Sequence, residues 1–173
     1  MTRTMPRRGG ATAPVDSGAR ALRLLLARLD QDQADLERAR ELLRQGRSQL
    51  EEDPREAFEL IHRAALRGAG VLVSRANRER RRALPLNVWT ALARLGGPDA
   101  ERAEQLEPLV AERMRLDREV SAQPDPELLR SHLEGTGAHL ELVAQRLLED
   151  LPAHVTELIA PGGASPVEGA QPG

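Results

Sequence analysis

An all-α bundle of about five to six helices, with disordered N- and C-terminal tails, is the fold class that this 173-residue sequence predicts. Three observations lead there. Apolar residues recur three, four and seven apart along most of the chain, and no stretch alternates apolar with polar between hairpin turns. One Phe, one Trp and no Tyr leave Leu, Val and Ala to fill the interior, a palette that favours helices over strands. Proline, Asn and Asp also stand where helices would start, and Gly where they would stop.

Residues 1–17 are Gly, Ala, Pro, Thr and Arg without periodicity and are expected to be a tail. The bundle is expected over residues 18–151, with a short helical extension and a second tail over 152–173. Leu22, Leu29, Leu36, Leu43 and Leu50 recur every seven residues, but after Leu25 or Leu26 the companion heptad positions hold Asp32 or Gln33, Ala39 or Arg40, and Gly46 or Arg47. A coiled coil needs both apolar positions. The expectation is instead two amphipathic helices, about 18–31 and 33–50, or one continuous helix.

The segment "DPREAFELIHRAALRGAGVLVSRAN" carries the strongest helical signal. Asp53 can cap it, Pro54 suits the first helical position, and Glu56 suits the first turn. Phe58, Leu60, Ile61, Ala64, Ala65, Leu66, Val71, Leu72 and Val73 cover most of its circumference. Only Glu59, Arg63, Arg67 and Ser74 form a polar stripe, so this helix should be the central element. Gly68, Ala69 and Gly70 would let a neighbour approach closely.

Asn87 can then cap a short helix with Trp89, Leu92 and Leu95, stopped by Gly96 and Gly97. Trp89 reads as a core anchor. The next helix contains Pro108, which predicts a kink or break, since an interior proline costs about 3 kcal/mol. In the last helix Leu129, Leu133, Thr136, Leu140, Val143 and Leu147 make a bundle seam. Gly135 and Gly137 predict a local distortion there, at about 1 kcal/mol each.

Composition narrows the function. With no cysteine there are no disulfides and no thiolate metal sites, which suits a reducing, cytoplasmic setting. His132 and His139 are seven apart on one helix, too far for a chelating pair, so no metal and no cofactor are expected. The longest apolar run, "GAGVLV", cannot span a membrane. Arg23 interrupts the leucines near the start, so no leader peptide is expected.

All 25 basic residues are Arg, as codon choice in a GC-rich genome would produce. Five of them, Arg75, Arg78, Arg80, Arg81 and Arg82, crowd the segment after the central helix. Such a run could neutralise phosphates, but no aromatic residue is interleaved for base stacking. Residues 54–98 hold nine Arg against three acids, and residues 99–151 hold six Arg against thirteen acids. Two segments of opposite sign can neutralise each other, so a solvated elbow is the favoured reading.

The order of these elements resembles an actinobacterial subgroup of the HEPN superfamily: the Pro-opened Ala/Gly-rich helix, the Arg-rich elbow, the Asn87-x-Trp89 segment and two long amphipathic helices. The similarity covers about residues 38–148. It implies a four-helix bundle, often dimeric. Active HEPN members are metal-independent ribonucleases of toxin–antitoxin and defence systems, with an Arg followed after four to six residues by a His. Arg55 and His62 match that spacing, on one helix face about 10 Å apart along the axis. The match lies on an early helix, whereas the nucleases place theirs late, and Glu56 beside it would repel phosphate. The expectation is therefore a non-enzymatic or catalytically degenerate interaction module whose partner is a second copy or another protein. The alternatives are a ribonuclease using Arg55 and His62, and an RNA- or DNA-binding protein using residues 75–82.

Overall fold

The computed structural model describes residues 14–151. Of the expected tail over 1–17, residues 1–13 lie outside the described residues, as do the expected extension and tail over 152–173. Five helices follow in order: α1 (Pro14–Ser48), α2 (Pro54–Glu79), α3 (Val88–Ala93), α4 (Gly97–Arg118) and α5 (Pro126–Glu149). No strand occurs among the described residues. The four long helices form a bundle, and α3 links α2 to α4.

α1 is continuous across the junction at residue 32, and it begins at Pro14, inside the stretch expected to be a tail. Its seven-residue leucine pattern is buried unevenly. Leu36 is fully buried and Leu43 and Leu50 are half-buried, whereas Leu22 is exposed. The cause is length. α1 has 35 residues against 26 in α2. Asp32, which pairs with Arg78 in the last turn of α2, already lies beside Gly70 and Ser74, so the N-terminal turns of α1 run past the end of α2.

α2 is the central element, packing against all four other helices. The Asp53 side chain accepts a hydrogen bond from the Glu56 backbone N–H at 3.0 Å, and Pro54 follows the cap. Phe58, Ile61, Ala65, Ala69 and Leu72 join the core, while Leu66 stays on the exposed side with Arg63 and Arg67. Two glycines set its spacing from its neighbours. A Cβ on Gly46 would stand 2.8 Å from Ile61 Cγ1, and one on Gly68 would stand 2.4 Å from Leu140 Cδ2. Gly70, by contrast, has open space around it.

The elbow after α2 is anchored. The Asn77 carboxamide oxygen accepts from the Leu84 N–H at 2.8 Å, and Leu84 is buried with Val73 and Ala91. Asn87 caps α3 by accepting from the Thr90 N–H. Gly96 and Gly97, with φ of 79° and 51°, then turn the chain into α4.

Neither expected interruption breaks its helix. α4 runs through Pro108, which is exposed together with Glu104, so the carbonyl deprived of a donor opens to water. α5 runs unbroken through Gly135 and Gly137. The reason for a glycine at 135 is tertiary, because the Arg102 guanidinium from α4 occupies the space a side chain would need.

Candidate functional site

Arg55 stands at the start of α2 and points at the far end of α4. Its Nη1 donates to the carbonyls of Glu119 at 3.0 Å, Val120 at 3.2 Å and Ala122 at 3.1 Å, and its Nη2 donates to the carbonyl of Leu116. The Leu116 carbonyl lies in the last turn of α4 and the other three belong to the turn that follows, where the Glu119 carbonyl also accepts from the Ala122 N–H at 2.9 Å. Arg55 thus closes α4 and fixes the turn into α5.

His62 is two turns further along α2 and lies in the interior, 5 % exposed. Its ring stacks against Phe58 at 6.4 Å and meets Trp89 and His132 edge-on at 5.6 Å and 5.5 Å. Burial lowers its pKa, the Arg113 charge adds to that, and Glu59 and Asp117 oppose it. The guanidinium of Arg55 faces a helix end and the imidazole of His62 faces aromatic rings, so the two side chains have different surroundings.

A larger polar cluster lies where α2, α4 and α5 meet. His132 is fully buried, and Thr136 one turn on shares a hydrogen bond with its Nδ1 at 3.2 Å. The Thr136 hydroxyl also accepts from Arg102 Nη2 at 3.1 Å. Burial first, then the nearby His62 and Arg102, pushes the His132 pKa down to about 3. His139 is driven down to about 4, again by burial first and Arg102 second. At neutral pH these rings are uncharged. His62 Nδ1, His132 Nε2, His139 Nε2 and Arg102 Nε have no hydrogen-bond partner.

The arginine run divides into two parts. Arg75 makes a two-pronged ion pair with Asp150 at the end of α5, and Arg78 makes one with the buried Asp32 of α1. Arg80, Arg81 and Arg82 follow the helix end and are exposed. The expected neutralisation between the basic and acidic segments is realised by Arg75 and Asp150. A second pair across the same boundary has reversed polarity, with Glu59 holding Arg113 at 2.9 Å.

Trp89 is half-buried and packs on the core, in keeping with an anchor. The sequence sets His132 and His139 seven positions apart on one helix. Their separation along one helix argued against chelation, and nothing local pointed to the contact of His132 with His62, seventy positions earlier. Among the described residues no group of His, Asp and Glu is arranged to hold a metal ion, and no helix is long and apolar enough to cross a membrane.

A family model described as HEPN_SAV_6107-like HEPN matches residues 48–144, which takes in α2, α3, α4 and most of α5. No curated protein and no solved structure matches.

Proposed function

Since the chain belongs to the HEPN_SAV_6107-like HEPN family, we propose that it works as an interaction module of that family without ribonuclease chemistry. One observation carries this reading. The only Arg-x6-His pair has its guanidinium committed to the carbonyls of α4 and its imidazole enclosed by Phe58, Trp89 and His132. Neither group is placed to meet a 2′-hydroxyl or a scissile phosphate. Incubation of the protein with single-stranded RNA in EDTA tests this. No cleavage is expected; cleavage that disappears in a His62→Gln variant would overturn the reading.

The partner in this proposal is a second copy of the chain. Leu22, Leu24 and Leu26 are exposed toward the N-terminal end of α1, where an apolar surface has most to gain from association. Size-exclusion chromatography with light scattering should give a dimer at micromolar concentration. A Leu22→Gln/Leu26→Gln variant should run as a monomer. A monomeric wild type across that range removes the partner assignment.

A second reading rests on the exposure of Arg80, Arg81 and Arg82. Nucleic-acid binding there would weaken steeply with salt and be lost in the Arg80→Ala/Arg81→Ala/Arg82→Ala variant.

A further inference from the structure

Buried charges among the described residues come with an opposite charge beside them, with one exception. Asp32 has Arg78, Asp99 has Arg146 and Glu112 has Arg115. Arg102 is buried to the same degree, 6 % exposed, and has no carboxylate within ion-pairing distance. Its guanidinium reaches only neutral oxygens, Thr136 Oγ1 at 3.1 Å and Gln105 Oε1 at 3.3 Å, and its Nε has no partner. An uncompensated buried cation is expensive, so a protein that keeps one usually brings a counter-charge to it.

The space for that counter-charge is present. A cavity of about 490 Å³ opens between α4 and α5, lined by Arg102, Gln105, Arg130, Ser131 and Gly135. Gly135 is what lets the guanidinium lie against α5, since a Cβ there would stand 2.5 Å from Arg102 Nη1. Glu127 and Glu134 also line the cavity, three residues before Arg130 and four after it. The two acids and two arginines leave the lining neutral overall, but neither glutamate pairs with Arg102, whose burial no charge answers. The glutamates also disfavour any ligand carrying two negative charges.

We propose that this cavity binds a small, singly charged organic carboxylate. Arg102 supplies the fork that matches a carboxylate, and the Ser131 hydroxyl supplies a neutral donor on the facing helix. The site uses neither Arg55 nor His62, so it stands or falls independently of the proposed function.

The Arg102 Nε–H resonance, followed by NMR on the full chain at pH 7.4, reports occupancy directly. Sodium acetate and sodium propionate should each give a saturable shift, and sodium chloride at equal ionic strength should give none. Phosphate, mostly a dianion at that pH, should bind more weakly than acetate. Arg102→Met, read through the Ser131 and Gly135 backbone amides, should abolish saturation. Because that variant removes a buried side chain, the exposed Ser131→Ala variant provides an independent arm. It should weaken acetate binding by about ten-fold, the equivalent of one charge-assisted hydrogen bond. No saturable shift in the wild type overturns the proposal, as does equal binding of chloride or phosphate. Unchanged acetate affinity in Ser131→Ala overturns it as well. Saturation that emerges only in Glu134→Gln would make Glu134 the counter-charge and sink the idea too.

Discussion

Arg102 of α4 lies against Gly135 of α5 so closely that a methyl group at 135 would stand 2.5 Å from its Nη1. Helix propensity and packing therefore pull in opposite directions at this position. Alanine is better than glycine in a helix interior by about 1 kcal/mol, but here it must displace a buried guanidinium and its bond to Thr136. Gly135→Ala is expected to destabilise the protein by about 1–2 kcal/mol, in the range for overpacking. Gly70→Ala in α2, which meets nothing within 4 Å, should be neutral or stabilising by up to about 1 kcal/mol. Urea midpoints of the two variants should move in opposite directions.

Arg55 is a structural clasp, so its removal should be felt in stability. Arg55→Met strips donors from four carbonyls around the end of α4. Some of these carbonyls are part-buried, and a loss of about 2 kcal/mol is expected for unpairing such groups. Arg55→Lys should recover only part of it, because one ammonium cannot span the same set. Thermal unfolding of the three proteins would show the ranking, and a Met variant as stable as wild type would contradict the clasp.

Acid should unfold this protein through its histidines. His132 and His139 are held down to about 3 and about 4 in the folded chain, principally by burial. An unfolded His takes up its proton near pH 6.5. Below that pH the unfolded state binds more protons, so stability is complete above about pH 7 and falls as the pH drops through 6.5. Between pH 7 and pH 5 the two residues together should cost about 4 kcal/mol, and His62, lowered for the same reason, should steepen the fall. Denaturation in urea at both values measures it. A His139→Leu variant should show a shallower dependence, and a flat wild-type profile would rule the explanation out.

The arginine run should separate into residues that hold the fold and residues that do not. The Asp32 side chain is 4 % exposed and relies on Arg78 for its counter-charge. Arg78→Ala leaves a buried carboxylate unpaired and should cost about 3 kcal/mol. Replacing Arg80, Arg81 and Arg82 together by Ala should change stability by less than about 0.5 kcal/mol, the usual range for exposed positions. Chemical denaturation of both variants decides it, and equal effects would mean that the run acts as one unit.

Local chemistry made much of the architecture legible. Asp53 and Asn87 cap as their positions suggest, because a cap joins residues two or three apart. The apolar circumference of α2 foretold its central place, since a helix with so little polar surface must be covered on most sides. Gly135, where α5 runs on without a break, is the instructive case. Propensity alone treats that glycine as a weakness, whereas its small size serves a side chain from another helix.

The sequence by itself thus determined that the chain is a helical bundle, where most of its helices begin and end, and which faces turn inward. All of these depend on periodicity and on contacts a few residues long. Only the tertiary structure decided that Arg55 would serve the end of α4, that His62 would meet His132, and that Arg78 would answer Asp32 while Arg80 stayed in water. It also left Arg102 buried beside an open cavity with no carboxylate paired to it. Those pairings join residues dozens of positions apart, and the packing of one helix on another sets them. One helical turn of slippage would leave the local patterns intact while giving Asp32 and Asp99 different neighbours.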